Sequence, residues 1–447
     1  MARKKIHAPL NVLVNNRPIG RLEKEASGAI TFQYDADWLD WEHRFAVSLS
    51  LPLQKAAYRG GPVSAVFDNL LPDNANIRKT LAERTGADGV DAYSLLAQIG
   101  RDCVGAMQFL PDGVNLDAGQ AINGEAISDE DIEKTLANLA RAPLGIDPEH
   151  GFRISVAGAQ EKTALLFHEG RWLRPIGTTP TTHILKPEIG KIPTSSGVID
   201  MSASVDNEHY CLKLLEAFGL QVASTEVITF GKRRVLVVER FDRQWQKDGR
   251  LLRLPQEDFC QALGVPPTRK YQSTVEDHRN GPSIIDVTAL LQGGDEPLKD
   301  RVDVLKAQII FWLIGATDGH AKNFSVFLRP GGGFKLTPIY DVLTAQPAFD
   351  AKQILHKDYK LAMSVGANRK YRILDIVGRH FIETAKEAGI GPTLVRDAIT
   401  TIQTKASDAP NEAFAAMPED FPASIHNSVS EAIASRIGKL TDAIGDL

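Results

Sequence analysis

Ile314-Gly-Ala-Thr-Asp318-Gly-His320-Ala321-Lys322-Asn323-Phe324 is followed, after a segment with hairpin character, by Ile339-Tyr340-Asp341. An aspartate, an asparagine five residues on, and a second aspartate past a short apolar-flanked excursion form the spacing that phosphoryl transfer needs. In that chemistry the first acid orients the attacking hydroxyl and accepts its proton. The amide oxygen and the second acid hold Mg²⁺, which bridges the nucleotide's phosphates. Asp318 fits the first role, and Asn323 and Asp341 fit the second. Taken alone, Asp318-Gly319 reads first as a turn between a buried helix over 307–315 and a strand over 324–328, with Asn323 ending the turn. Asp341 changes that balance, because Phe334-Lys-Leu-Thr-Pro-Ile-Tyr340 has the pattern of a return strand delivering an acid beside the first loop. A metal-dependent hydrolase could use the same carboxylates, but the chain has no H-E-x-x-H cluster.

Composition bounds the rest. The 447 residues are 43% hydrophobic, enough to bury large cores, and the length points to two or three domains. A net charge of −5 gives no global basic field, so any nucleic-acid contact must come from a local patch or through a partner. Cys103, Cys211 and Cys260 are few, odd in number and widely spaced, which excludes a disulfide framework and a zinc ribbon and fits a reducing cytoplasm. The basic start of the chain is followed by Asn11, Asn15, Asn16 and Arg17 rather than an apolar run, so export is not expected. The apolar block Ile309-Ile-Phe-Trp-Leu-Ile-Gly315 is far shorter than the roughly 20 residues of a bilayer span. It predicts a core helix, with no membrane among the partners.

The pattern along the chain predicts an α+β protein. Apolar–polar alternation in Leu10-Asn-Val-Leu-Val-Asn15, Arg17-Pro-Ile-Gly-Arg-Leu22 and Ala29-Ile-Thr-Phe-Gln-Tyr34 predicts a small antiparallel sheet, and helical spacing follows over 63–69, 77–84 and 94–99. These make a compact subdomain over 1–111. Residues 112–149 carry Gly, Asn, Asp and Pro around one amphipathic helix capped by Ser128, and are expected to form a linker. A second sheet and a hinge are expected over 150–253. Its first feature is Phe152-Arg-Ile-Ser155-Val-Ala157-Gly158-Ala159-Gln160-Glu161-Lys162, whose strand, small-residue loop and following strand have the form of a loop covering phosphates; an ordinary hairpin explains the pattern equally well. Thr182-His-Ile-Leu-Lys186 then predicts a strand ending in a phosphate-pairing lysine, with a solvated edge lysine as the alternative. Helix Asp206 to Gly219 offers Glu208 as a partner for Lys186. The strand Arg234-Val-Leu-Val-Val-Glu239 runs into Arg240-Phe241, a polar-aromatic step suited to a hinge whose backbone reads adenine. Residues 254–447 are helix-rich and embed the Asp318–Asp341 segment. Sheet lobe, hinge and helical lobe follow one another in the order of a kinase.

Ile154-Ser155-Val-Ala-Gly-Ala-Gln-Glu-Lys162, Leu254-Pro-Gln256-Glu-Asp258 and Ile314-Gly-Ala-Thr-Asp-Gly-His-Ala-Lys-Asn323-Phe-Ser325 closely resemble the HipA family, the serine/threonine-kinase toxins of bacterial type II toxin–antitoxin modules. Asn69-Leu-Leu-Pro-Asp73 and Ile99-Gly-Arg-Asp-Cys-Val-Gly105 extend the resemblance into the first subdomain, so it spans nearly the whole chain. It implies a bilobal kinase-like fold preceded by the small subdomain, with ATP and Mg²⁺ as cofactors. It also implies Asp318 as catalytic base, Asn323 and Asp341 as magnesium ligands, and Lys186 as the lysine on phosphate. Glu239, Arg240 and Phe241 would form the adenine hinge, and Ala157 to Lys162 the phosphate loop. Ser155 would be a site of autophosphorylation, and His320, Ala321, Lys322 and Tyr340 would line the nucleotide pocket. The implied partners are a small helix-turn-helix antitoxin, operator DNA reached mainly through it, and a protein substrate such as an aminoacyl-tRNA synthetase, whose modification stops growth. Lys386 matches a position that can touch DNA, whereas a neighbouring basic position appears as Gly389. The chain departs from ordinary protein kinases in lacking H-R-D, D-F-G and A-P-E. The D-x-H-x-x-N pattern of Asp318, His320 and Asn323 also looks like aminoglycoside phosphotransferases and lipid kinases, which keeps a small-molecule phosphotransferase as the second reading.

Overall fold

The two-residue turn Asn15-Asn16 has φ of 48° and 66°. Both residues in the left-handed region is the geometry of a type I′ turn, which suits the right-handed twist of the strands it joins. It pairs Leu10–Val14 with Arg17–Lys24 in an antiparallel sheet. In this computed structural model, residues 7–113, 122–146, 154–158, 160–194, 197–273 and 281–446 are described. They divide into two units, neither continuous in sequence. The first comprises Met1–Pro187, Ile228–Thr268 and Ser325–Phe334, and the second Glu188–Val227, Arg269–Phe324 and Lys335–Leu447.

In the first unit, the N-terminal sheet has the strand order Tyr58–Arg59, Ile30–Tyr34, Arg17–Lys24, Leu10–Val14, Met107–Pro111. Val12, Leu22, Phe32 and Phe109 are fully buried, as the period-2 pattern requires. Helices Gly61–Asp68, Ala75–Thr85 and Ala92–Ile99 form within a few residues of the expected bounds. The second sheet has the order Thr225–Phe230, Arg233–Glu239, His183–Pro187, Thr163–His168, Arg171–Pro175, Gly124–Ala126.

Two features of this unit differ from the pattern-based expectation. The stretch 112–149, expected as a linker around one helix, holds that helix at Asp129–Ala137 with a capping box between Ser128 and Asp131. It also supplies the edge strand Gly124–Ala126, paired with Arg171–Pro175. The helix is no spacer, because Ile132, Leu136 and Leu139, spaced for one helical face, bury against Leu165, Leu185, Phe230, Val235 and Val237 of the sheet. The second difference concerns the segment before Lys162, whose described part is not a sheet strand. Ser155 and Gly158 instead make isolated parallel bridges to Cys103 and Pro72.

The second unit is built on helix Pro297–Ile314, whose residues Ile309 to Ile314 are all buried. Trp312 Nε1 donates to the Ile373 carbonyl at 2.9 Å, and the buried Arg436 of helix Ala423–Thr441 donates to the Leu313 carbonyl at 2.7 Å. Among the described residues, no helix is long and apolar enough to cross a membrane. Helix Ser204–Ala217 ends as expected, with Gly219 at φ 91°.

Candidate active site

The Asp318 loop starts from a well-formed helix end. Gly315 has φ 72°, its N–H donates to the Trp312 carbonyl at 3.3 Å, and the Ala316 N–H donates to the Phe311 carbonyl at 2.8 Å. This pair of bonds is a Schellman motif, and glycine is required because a Cβ here would strike the Tyr359 hydroxyl. The chain leaves the helix as a loop with Asp318 exposed and His320, Ala321, Lys322 and Asn323 buried. The Asp318 carbonyl accepts the His320 N–H and the Asn323 Nδ2–H, each at 2.8 Å. Asn323 Nδ2 also donates to the Asp341 carbonyl at 3.3 Å. One side-chain amide therefore ties the first acid's backbone to the second's.

Asp341 sits at φ 60°, an uncommon backbone state for a non-glycine residue and one that aspartate tolerates better than most. Flanking contacts enforce it. Ile339 exchanges backbone bonds with Gln221 and Ala223 at 2.8 and 2.9 Å, and the Tyr340 hydroxyl donates to the Lys322 carbonyl at 2.8 Å. The structure thus brings Asp318, Asn323 and Asp341 together, as the spacing predicts, with His320, Lys322 and Tyr340 on the same loop and return segment. Among the described residues no three His, Cys, Asp or Glu side chains converge as a metal centre. One carboxylate plus one amide oxygen does fit Mg²⁺, which takes few protein oxygens and leaves its other positions to phosphates and water. With Asn323 Nδ2 spent on two carbonyls, Oδ1 is the atom it could offer a cation.

Sequence reasoning missed one residue here. Tyr271 donates its hydroxyl to Asp318 Oδ1 and meets the His320 ring edge-on, with centroids 4.9 Å apart. The two residues stand 47 positions apart, and no local pattern marks Tyr271.

The groups predicted for the phosphate loop and the hinge, with Lys186 and Ser155, lie in the first unit. Ser155 is fully buried, with its N–H donating to the Asp102 carbonyl at 2.9 Å and its Oγ to the Leu70 carbonyl at 2.7 Å. The Gly158 carbonyl accepts the Asp73 N–H at 3.2 Å. Gly158 has φ 111°, and a Cβ there would lie 2.5 Å from Lys162 Nζ, which itself donates to the Ala157 carbonyl at 2.9 Å. Only glycine fits. Ala159 lies outside the described residues. Glu161 is exposed, and Gln160 Nε2 donates to the Pro187 carbonyl at 3.1 Å, next to Lys186. Lys186 is buried within its strand, opposite Leu236.

At the expected hinge, Glu239 is exposed and Phe241 is half-buried against the edge of Phe327, 5.8 Å away. The side chain of Arg240 turns inward, away from the role of lining a nucleotide. It pairs with Asp242 at 2.8 Å and donates to Thr181 Oγ1 at 2.9 Å and the Cys103 carbonyl at 2.8 Å. Asp102 joins the same buried network through Arg243 and Arg253, both at 2.9 Å. Burial alone would raise the Asp102 carboxyl. The guanidiniums of Arg243, Arg253 and Arg240 more than offset that and hold it well below the usual carboxylate range. Burial, then the neighbouring Arg240, lowers Arg243 to about 10. Lys386 is exposed in the last turn of helix Gly378–Glu387, with Arg379 and Arg372 also exposed.

Known proteins resemble this chain over most of its length. Residues 10–110 match the HipA N-terminal domain and residues 154–410 the HipA-like C-terminal domain. Y4mE of Sinorhizobium fredii is 35% identical over 404 residues, covering 90% of each chain. The serine/threonine-protein kinase toxin HipA of Shewanella oneidensis is 31% identical over 346 residues, covering 75% of each. Among solved structures, the Shewanella oneidensis complex of HipA, HipB and operator DNA matches with a TM-score of 0.79 at 25% identity, over 98% of this chain and 99% of that one. Carrying both domains in the same order, the chain belongs to the HipA family of kinases.

Proposed function

We propose that this kinase transfers the γ-phosphoryl group of ATP to a serine or threonine hydroxyl of a protein, acting as the toxin of a toxin–antitoxin module, and that its own Ser155 is among the acceptors. The observation that carries this reading is the Asn323 amide joining Asp318 and Asp341, which assembles the base and the two magnesium ligands in one unit. The Asp318 carboxylate accepts the acceptor hydroxyl's proton as the oxygen bonds to the γ-phosphorus and the bond to the β,γ-bridging oxygen breaks, releasing ADP. Asn323 Oδ1 and the Asp341 carboxylate would hold Mg²⁺. When bound, that ion offsets negative charge on the phosphate oxygens. Lys186 and the loop 157–162 would serve the phosphates, and the backbone of Glu239 to Phe241 would serve adenine. Tyr340, His320, Ala321 and Lys322 belong to the nucleotide pocket.

The complex of the Shewanella oneidensis relative supports a HipB-like helix-turn-helix antitoxin as partner, with operator DNA reached mainly through it. A net charge of −5 agrees with DNA contact made chiefly by the partner, and the exposed Lys386 is the candidate for a direct contact. The family resemblance points to an aminoacyl-tRNA synthetase as acceptor, with growth arrest and dormancy as outcome. Buried free thiols at Cys103, Cys211 and Cys260 suit a cytoplasmic setting.

Asp318→Asn removes charge from an exposed position and Asp341→Ala from a half-buried one, and neither removes core volume. Each is expected to lower phosphate transfer by about 10²- to 10⁴-fold, with the circular dichroism spectrum unchanged. In bacterial lysate, radiolabelled ATP and the wild type should mark a discrete protein band. A folded Asp318→Asn variant with wild-type transfer would overturn the reading.

A further inference from the structure

We infer that Tyr271 is a positioning residue for the transfer step, setting the rotamer of the Asp318 carboxylate; this rests on the reading of Asp318 as the base. The backbone of Asp318 is fixed by His320 and Asn323, but its side chain is exposed, and an exposed carboxylate samples several rotamers. Proton acceptance needs a lone pair held within about half an ångström of its productive position. The Tyr271 hydroxyl supplies the missing constraint by donating to Oδ1, which leaves Oδ2 to face the acceptor hydroxyl.

Tyr271 can impose this geometry because it is itself held from several sides. Its ring stands edge-on to His320 of the same loop. The preceding carbonyl, of Lys270, accepts the Ala321 N–H at 3.3 Å, which ties the tyrosine's own backbone to the Asp318 loop. On its other side, Gln272 is buried, and its Oε1 accepts both the N–H and the hydroxyl of Ser364 at 2.7 and 3.2 Å. A Cβ at Gly281 would strike the carbonyls of Arg269 and Tyr271, so the returning chain also closes on this backbone. The phenol is thus a held donor meeting an exposed carboxylate.

The test uses the full chain, Mg-ATP and one protein acceptor, with Tyr271→Phe as the variant. The ring and its contact with His320 remain, and only the hydroxyl is lost. Losing a hydrogen bond to a charged group is expected to lower kcat by about tenfold to a hundredfold. KM for ATP should stay within about twofold, because an interaction that orients the base contributes to the transition state and not to nucleotide binding. Asp318→Asn and the Asp318→Asn/Tyr271→Phe double variant should be equally inactive, since Tyr271 acts through Asp318. Wild-type kcat in Tyr271→Phe would overturn the inference. So would a raised kcat/KM for the acceptor, which would make the phenol a competitor of the acceptor hydroxyl. If Asp318→Asn is inactive while Tyr271→Phe is normal, the inference alone fails; if folded Asp318→Asn is fully active, the base assignment fails first.

Discussion

Ser155 shows how much one buried hydroxyl can constrain a loop. Its Oγ lies 2.7 Å from the Leu70 carbonyl in a fully buried position, so the residue must leave that contact to reach any γ-phosphate. Once phosphorylated, it carries about −1.5 to −2 charges at neutral pH and cannot return to face a carbonyl oxygen in a space closed to water. Phosphorylation should therefore hold 154–158 away from Cys103 and Pro72, taking Gly158 and the Lys162–Ala157 contact with it. Incubation with Mg-ATP followed by peptide mass spectrometry should find phosphate on Ser155 in the wild type and none in Asp318→Asn. The modified protein should bind ATP at least about tenfold more weakly, the equivalent of roughly 1.4 kcal/mol. Equal ATP affinity before and after modification would refute the switch.

Elements whose physics is local were legible in the sequence. Alternation at Leu10–Val14, the Asn15-Asn16 turn, the Ser128 cap and the glycines closing helices at 219 and 315 all act within a few residues. The triad of Asp318, Asn323 and Asp341 was legible because one loop and its return segment carry it. What the sequence hid depends on pairs far apart. Segment 154–158 satisfies its backbone groups at Pro72, Asp73 and Asp102, helix Asp129–Ala137 finds its sheet only in three dimensions, and Arg240 takes partners from loop 102–103. That last network yields an element-scale prediction. Asp102 links the turn after helix Ala92–Ile99 to the segment after strand Arg233–Glu239, and Asp102→Asn leaves three buried guanidiniums with Asp242 as their one remaining carboxylate in the network. Breaking a buried pair from one side costs about 3–5 kcal/mol, to be read as a lowered urea midpoint at pH 7. A variant within experimental error of the wild type would show that the network adds nothing.

At the scale of the whole molecule, two buried acids tilt stability with pH in opposite directions. Asp102 is held below its ordinary value of 3.8, so it stabilises the fold above that pH and this stabilisation is lost as the pH falls. Glu257 behaves in the reverse way. Burial pushes it from 4.5 up to about 8, with the Ser48 hydroxyl and the Leu49 N–H pulling back only in part. Its Oε1 accepts the Leu49 N–H at 2.7 Å, while Oε2 is buried without a hydrogen-bond partner, as suits a neutral acid better than a carboxylate. Between pH 4.5 and about 8 the native state therefore keeps a proton that the unfolded chain has released. The unfolded state binds fewer protons over this window, so the free energy of unfolding declines as pH rises through it and levels off above. Glu257→Gln stays neutral at every pH and keeps an oxygen for Leu49, so it should remove this decline. Urea midpoints measured from pH 5 to 9 should fall in the wild type and stay nearly level in Glu257→Gln, with the variant gaining most at the alkaline end. Parallel curves for the two proteins would mean that Glu257 ionises in the folded state as readily as in the unfolded one, and would remove it as the source of any alkaline loss.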